Sequence, residues 1–541
     1  MRKSEAYSPS AAVVTIIGVG LMIRVVIALF LYPGYDEAYY YVYSQNLDWS
    51  YFDHPVMVAL TTGLGVWLTG MVNQFTIRIG SLILYTGSLY LLYLTGKKLF
   101  GCQSGLFSLV IASCIPIFMI GFGVLTLPDA PLIFFWSLTL YWCSLEFFRE
   151  FSCYQPSYRL VIISLLVGLA CLSKYHGFLL GLGLVGFCIS NPPYRKVFLS
   201  SWLWWAIAVF LIILLPLLYW NWQHDWVSFG FQLSKRFQST DVATKLASEV
   251  TLNPLNVLLN VLLTALVASG YLFPSFGLPL FWVTAKSSYY QFQCRQTPNY
   301  PYRLILWVSL PVSLGFILLG GLTQILPTWP MPGFWGLTVI LGDYSAKWHQ
   351  SNPVMVRRWL YFSGGVILTI FAIILLHLNL GLLQKPNKIP FIDGIIPPAA
   401  DPSTQLVDTS QLSRLLALSP EFCEGLDSSD FVFTNRFYLG GYVGMSIASL
   451  NQVEEKPLVC LGEDCRGFNY WYPLEKLLGK NGIFITERLG ESESSALPEE
   501  KYFDRWRKIA EIALKRGGET TRIFEVYQGE NLKKIPQLQE K

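Results

Sequence analysis

The chain has 541 residues, of which 53% are hydrophobic, 16% aromatic and only 14% charged, whereas a soluble domain carries roughly 25% charged residues. The deficit is local: residues 1–384 hold 20 Lys+Arg against 12 Asp+Glu, and residues 385–541 hold 19 against 23, balances of +8 and −4 that give the net +4. This excludes a single soluble domain, and the basic excess of the first part, lying between apolar segments, reads as membrane topology and not as a nucleic-acid surface.

Met1–Ser10 is polar and carries Arg2 and Lys3. Ala11–Leu31 is apolar apart from Arg24, long enough to cross a bilayer, which takes about 20 apolar residues. No small-residue cleavage site follows, so the segment reads as a retained anchor rather than a signal peptide. Arg24 within it is expected to pair inside the bundle. Next comes Tyr32–Pro55, YPGYDEAYYYVYSQNLDWSYFDHP, with four carboxylates (Asp36, Glu37, Asp48, Asp53), the imidazole of His54 and many aromatics.

Ten further spans are expected, at about 79–96, 104–122, 130–148, 160–175, 177–190, 199–220, 254–275, 302–320, 330–343 and 358–380, making eleven in all. The polar patches between them alternate. Arg2/Lys3, Lys97/Lys98, Arg149/Arg159, Arg195/Lys196, Lys286/Arg295/Arg303 and Lys347/Arg357/Arg358 fall on one side, fourteen of the twenty basic residues of this part. The other side receives Asp36, Glu37, Asp48, Asp53, Asp129, Asp225, Asp241 and Glu249. The basic side is therefore cytoplasmic, and an odd number of spans places residues 385–541 outside.

This last part opens on a proline-rich linker, Lys385–Thr404. Strand-like runs follow at Phe431–Thr434, Leu458–Leu461, Gly482–Thr486 and Arg522–Tyr527, with helix-like stretches at about 472–479 and 499–516. The mixture suggests a small α/β or α+β domain. Two domains are expected: 1–384 in the membrane and 385–541 soluble and extracytoplasmic. Seven cysteines, Cys102, Cys114, Cys143, Cys153, Cys171, Cys188 and Cys294, lie in or near the spans without ligand spacing. Of Cys423, Cys460 and Cys465, the last two are placed to bridge if the domain is outside the reducing cytosol.

Several residues on the outer side can carry chemistry. Adjacent Asp36 and Glu37 diverge by about 100° on a helix, so one can face a cavity while the other serves a neighbour. A carboxylate in an aromatic-walled pocket can accept a proton from a hydroxyl or amine, while an acid just after Pro33-Gly34 also suits a helix N-terminus; both readings stand. Asp53-His54-Pro55 could ligate a metal, hold a phosphate or simply turn the chain. Asp129, in Leu127-Pro128-Asp129-Ala130-Pro131, caps a helix by default, but shares the outer face with Asp36. Lys174, in Leu172-Ser173-Lys174-Tyr175-His176-Gly177, interrupts an apolar stretch, where a cation needs an anion or must snorkel to water. Arg78 is a similar outer-side cation. His224, wrapped by Trp220, Trp222 and Trp226, could join Asp53 at a divalent metal, the only cofactor the pattern leaves room for. Together they fit phosphate-ester chemistry on a lipid-borne substrate. There is no glycine-rich phosphate loop and no DxD.

The order of motifs resembles the bacterial glycosyltransferase family 39 group, the protein O-mannosyltransferase and aminoarabinose-transferase superfamily of the membrane GT-C fold. The likeness runs through YPGYDEAYYYVYSQNLDWSYFDHP, FTIRIGSLILYTGSLYLLYLTGKKLFG, TLPDAPLIFFWSLTLYW, LVGLACLSKYHGFLLGLG, WNWQHDWVSFGFQLSKR, PTWPMPGFWG, FVFTNRFYLGGYVG and GKNGIFIT, nearly the whole chain. The resemblance implies a polytopic helical membrane protein of the GT-C fold with an α/β-type outer domain in the bacterial inner membrane. It implies inverting, single-displacement transfer of a sugar from a polyprenyl-phosphate donor to a lipid, glycan or protein acceptor. By the family's pattern Asp36 is the base, with Glu37 beside it, Asp129 is the acid of the second outer loop, and Lys174 holds the donor phosphate, with Arg78 as a second cation. Asp53-His54-Pro55 carries histidine where the aminoarabinose branch has lysine near its metal and lipid phosphate. The rival class is a transporter or lipid flippase. Repeated halves and midplane polar residues would mark it; neither is visible.

Overall fold

A computed structural model describes residues 9–149, 153–232, 253–293, 298–388, 394–450, 456–488 and 497–535. Arg2, Lys3, Asp241, Glu249, Cys294 and Arg295 lie outside the described residues. The chain forms two compact units: Met1–Val25, Trp49–Val58 and Ser81–Leu368, and separately Val26–Asp48, Ala59–Gly80 and Thr369–Lys541. Packing thus groups two early segments with the C-terminal region, so the units do not coincide with the stretches 1–384 and 385–541.

Among the described residues the α-helices of the first part are α1 (Pro9–Phe30), α2 (Tyr35–Gln45), α3 (Met57–Thr69), α4 (Ile79–Phe100), α5 (Cys102–Cys114), α6 (Asp129–Phe147), α7 (Arg159–Ser173), α8 (Gly177–Ser190) and α9 (Ser201–Gln223). Pro254–Tyr271, Pro274–Ser288, Tyr300–Leu319, Met331–Ser351 and Pro353–Leu380 follow. Among the described residues, seven helices are long and apolar enough to cross a membrane, or eight if α8 and the 3-10 helix Pro192–Leu199, bent by 113°, form one span.

The eleven expected spans include apolar helices shorter than these, such as α5 and α7. The span expected at 104–122 stops at Ile115, which is extended (φ −64°, ψ 120°) because it precedes Pro116. The 13-residue α5 lies before this break, and the chain resumes as helix after it, ending in the π-helical turn Phe118–Phe122. The span expected at 160–175 is the 15-residue α7, about 22 Å of helix. The stretch expected at 330–343 continues to Ser351 and takes in Asp343, Lys347 and His349.

That helix, Met331–Ser351, is the heart of the first unit and is buried almost continuously from Met331 to Ala346. Small residues let its neighbours close in. A methyl on Gly342 would lie 2.0 Å from Ser108 Oγ in α5, and one on Gly333 would lie 2.5 Å from the Ser309 carbonyl; such small-residue contacts are how membrane helices approach closely. Asp343 is buried but satisfied, accepting from Ser104 Oγ (3.0 Å), the Tyr302 hydroxyl and Lys347 Nζ (2.6 Å). Arg24 pairs inside the bundle without a carboxylate: Nη2 donates to Thr86 Oγ1 at 3.1 Å, and the guanidinium sits 4.9 Å from the Tyr85 ring centre.

The second unit contains a five-stranded sheet, order β2-β1-β3-β5-β4, from β1 (Phe431–Arg436), β2 (Leu458–Asp464), β3 (Gly482–Arg488), β4 (Phe503–Arg516) and β5 (Glu519–Leu532). β1 is parallel to β2 and β3, and β5 is antiparallel to β3 and β4. All four strand-like runs of the sequence are strands. The helix expected at 499–516 is not one: most of it is β4. Its alanines, lysines and glutamates favour helix, but Gly517 and Gly518, at φ +59° and +82°, make the two-residue turn that suits a hairpin, and Arg516 pairs with Glu519 across it. The stretch at 472–479 holds only the 3-10 turn Leu474–Leu477. Cys460 and Cys465 are joined by a disulfide, with Cα atoms 5.4 Å apart.

Contacts between distant parts of the chain hold this second unit together. The helix Phe437–Ala448 packs on α2 where Gly441 meets the backbone of Ala38 and Tyr39; a methyl there would lie 2.6 Å from the Ala38 carbonyl carbon. At the end of the last span, Leu383 N–H donates to His377 Nδ1 (3.0 Å), so His377 Nε2 carries the proton directed at Asp401 (2.8 Å). Arg516 of the hairpin shares that carboxylate.

Candidate active site

The second unit holds α2. Gly34, extended at φ −77° and ψ 161°, starts the helix, and Asp36 and Glu37 occupy its first turn, where the helix dipole favours negative charge. The two carboxylates part as their spacing requires. Glu37 turns inward and is 1% exposed. It accepts from Gly34 N–H (3.0 Å), from Arg78 Nε (2.8 Å) and from Arg78 Nη2 (2.7 Å). Arg78, fully buried, also donates to the carbonyls of Ala28 (3.0 Å), Leu31 (2.6 Å) and Tyr32 (3.2 Å). A guanidinium has five N–H donors, and these bonds occupy all five. Arg78 thus clamps the end of α1 to the start of α2, leaving no donor for a phosphate, and Glu37 is committed to the clamp. In this arrangement Glu37 and Arg78 both hold the turn. Asp36 sits half-buried on the turn so fixed.

Behind Asp36 the helix is walled by aromatics. Tyr39 lies among Phe437 (4.9 Å between ring centres), Phe468 (6.1 Å) and Trp471 (5.9 Å), and Tyr43 meets Trp471 edge-on at 5.4 Å. The Tyr442 hydroxyl donates to the carbonyls of Gln405 (3.0 Å) and Pro33 (3.3 Å). The Tyr35 phenol is pushed up by the Asp36 charge and by burial, with Arg466 pulling it back.

The first unit brings together other residues expected on the outer side. Asp129 begins α6, and Lys174 ends α7 in extended conformation. Lys174 Nζ lies 2.9 and 2.8 Å from the two Asp129 oxygens, both side chains being 8% exposed. Removing two charges from water costs several kcal/mol, so a buried ion pair is weak evidence of stabilisation. Its chemistry is more telling, because an ammonium has three donors and this pairing engages two.

The neighbouring Tyr175 binds Ser228 Oγ at 2.6 Å and feels the charge of Asp53. Asp53 and His54 are both buried, in a turn closed by Tyr51 N–H to the His54 carbonyl (3.2 Å). Gln232 donates to the Asp53 carbonyl at 2.5 Å. The loops of Asp53, Lys174 and Ser228 are therefore knitted together, with Asp129 joined through Lys174. His224 lies stacked on Trp220 at 4.1 Å, its Nδ1 2.8 Å from the Trp220 carbonyl. Asp225 and Trp226 follow at φ +50° and +58°, a left-handed pair costing of order 1–3 kcal/mol per residue. Among the described residues, no three His, Cys, Asp or Glu side chains come together as a metal site.

Sequence reading missed the Glu37–Arg78 clamp, though an acid at the third position of a helix after Gly34 was a visible capping signal. It also assigned no role to the C-terminal region, whose Tyr442 and Gly467 reach the α2 segment at Pro33 and Tyr39.

Residues 53–220 match the family described as dolichyl-phosphate-mannose-protein mannosyltransferase. Among curated proteins, lipid A galacturonosyltransferase RgtD of Rhizobium johnstonii is 28% identical over 226 residues, 40% of this chain and 45% of that protein, so the match spans less than half of the relative's length. Among solved structures, ArnT from Cupriavidus metallidurans superposes with a TM-score of 0.61 in the apo state, at 13% identity over 96% of this chain and 98% of that one. The same protein bound to undecaprenyl phosphate gives 0.58 over 95% and 97%. Over 95–96% of its length the chain therefore has the same fold as ArnT.

Proposed function

We propose that this chain, a member of the GT-C family 39 superfamily by fold and motif, transfers a sugar from a polyprenyl-phosphate donor to an acceptor at the outer face of the membrane, with inversion. The acceptor oxygen or nitrogen attacks the anomeric carbon. Asp36 takes its proton, and the bond to the polyprenyl phosphate breaks. Phosphate is already a good leaving group, so Lys174 need only neutralise the departing charge, using the donor that Asp129 leaves to it. Asp129 holds that ammonium in place. The observation that carries the reading is the division of labour in the first turn of α2: Glu37 and Arg78 lock the turn and Asp36 rides on it. Of the possible acceptors we favour a lipid, as in the lipid A galacturonosyltransferase relative.

The test is reconstitution of the purified protein with sugar-loaded undecaprenyl phosphate and lipid acceptors. Sugar on the acceptor with release of undecaprenyl phosphate is expected; movement of a lipid across proteoliposomes without sugar transfer would favour the flippase alternative. Lys174→Ala should weaken undecaprenyl-phosphate binding by roughly 10- to 100-fold, the worth of a charge-assisted hydrogen bond. Unchanged binding by the variant would remove Lys174 from the phosphate.

We also place the C-terminal region outside the cytosol, with the Cys460–Cys465 disulfide as support, because such bonds persist in oxidising compartments. Protein purified without reductant should leave both thiols unlabelled by maleimide until reduced. Full labelling before reduction would put that region on the other side.

A further inference from the structure

One end of the first unit gathers lysines and aromatic rings that the proposed reaction does not use. Tyr302 lies in the first turn of Tyr300–Leu319, and its ring centre is 5.0 Å from that of Phe100, the last residue of α4. Both helices are long and apolar enough to cross a membrane, so their meeting ends mark a membrane boundary. It is the side that the sequence marks as basic, through Lys97, Lys98, Lys286, Arg303 and Lys347. Here the end of Pro274–Ser288 packs on Met331–Ser351. The Trp282 ring centre lies 5.9 Å from that of Tyr344 and 5.9 Å from that of Trp348. Two lysines share the Tyr344 ring, Lys286 Nζ and Lys347 Nζ each standing 5.6 Å from its centre.

The two cations are answered unequally. Lys347 Nζ donates to Asp343 Oδ2 at 2.6 Å and to the Tyr302 hydroxyl at 3.3 Å. That carboxylate is already spent, since it also accepts from Ser104 Oγ and from the Tyr302 hydroxyl. Lys286 meets rings instead: its Nζ is 4.5 Å from the centre of the Trp282 ring, and among the described residues no carboxylate pairs with it. A ring face attracts an ammonium and fixes its position, yet leaves N–H donors for an oxygen anion. The helix dipole suits a lysine in the last turn of Pro274–Ser288, but it calls for no aromatic cradle around it. The cradle is open to the outside: Trp282 is 50% exposed, and the Lys347 side chain 61%. Basic groups between helices at this boundary suit the phosphate of an anionic lipid.

We propose that Lys286 and Lys347, in the cradle of Trp282 and Tyr344, bind the phosphate of an anionic phospholipid. Lys286 supplies the charge that no carboxylate answers, and Lys347, anchored on Asp343, supplies the second ammonium. Such binding requires nothing of the transfer reaction.

The test is titration of the full-length protein in detergent with phosphatidylglycerol, with phosphatidylcholine of the same acyl chains, and with inorganic phosphate. Bound lipid is read by native mass spectrometry and protection by the melting midpoint. A basic residue at a membrane surface is worth about 5-fold in affinity, so the wild type is expected to prefer phosphatidylglycerol by roughly 30-fold and to melt higher with it. Lys286→Gln removes a charge without a carboxylate partner, so without lipid it should melt as the wild type does. It should lose about 5-fold of the preference, and Lys286→Arg should keep it. Arg195→Gln removes an exposed charge of the same basic side from outside the cluster and should leave binding unchanged. Equal affinity of the wild type for the two lipids would mean that no headgroup charge is read. A full preference in Lys286→Gln, or an equal loss in Arg195→Gln, would mean that the basic side attracts lipid without this site. Protection by inorganic phosphate at the same concentrations would make the ligand a free anion. Each of these results overturns the proposal.

Discussion

Asp36→Asn should abolish sugar transfer while leaving the protein folded and able to bind donor. The exchange keeps the shape of the side chain and removes only its capacity to take a proton. A positioned general base contributes roughly 10²- to 10⁴-fold to rate, and the loss should fall in that range and on kcat rather than on donor affinity. The fold should tolerate the change because the first turn of α2 is held by Glu37, Gly34 and Arg78. Transfer at the wild-type rate by the variant would remove Asp36 as the base. A lowered melting midpoint together with lost donor binding would give it a structural role instead.

Arg78→Ala should produce the largest loss of stability of any single change in this region. It removes both bonds to a buried carboxylate and leaves the carbonyls of Ala28, Leu31 and Tyr32 without their donor. Breaking one partner of a buried ion pair costs about 3–5 kcal/mol, because the other charge stays behind. Arg78→Lys should rescue little, since three donors on a flexible stem cannot replace five in a fixed fork. Removing both charges with apolar residues of similar volume should recover part of the loss. Denaturation in detergent separates this account from a phosphate role. A variant with wild-type stability and weakened undecaprenyl-phosphate binding would show that Arg78 serves the donor and not the fold.

The residues of the candidate site were legible as candidates because each is a local anomaly. Asp36 beside Glu37 after Pro33-Gly34, Asp129 between two prolines and Lys174 in an apolar run are each anomalous where they stand. What joins them is not local. Glu37 meets Arg78 across 41 residues and Asp129 meets Lys174 across 45, and neither pairing leaves a trace in spacing. For that reason Arg78 reads from the sequence as a cation awaiting a phosphate, while in the fold its five donors are all engaged. His224 stacks on Trp220, four residues earlier, a contact that helical spacing does leave visible in the sequence.

The same contrast holds for the fold. Strands rich in β-branched and aromatic residues were found where expected. β4 was not, because helix-favouring composition outweighed the Gly517-Gly518 turn that makes it a hairpin arm. The bounds of elements differed where Pro116 interrupted an apolar run and where polar residues extended a buried helix to Ser351. Hydrophobic length does not register either interruption.

The most direct test of the central claim is the pool of lipid-linked sugars in cells lacking this protein. One polyprenyl-phosphate sugar should accumulate, fall to normal when the wild-type chain is restored, and remain high when the Asp36→Asn chain is restored at equal abundance. A pool that does not change on deletion, or that the Asp36→Asn chain clears as well as the wild type, would contradict the account.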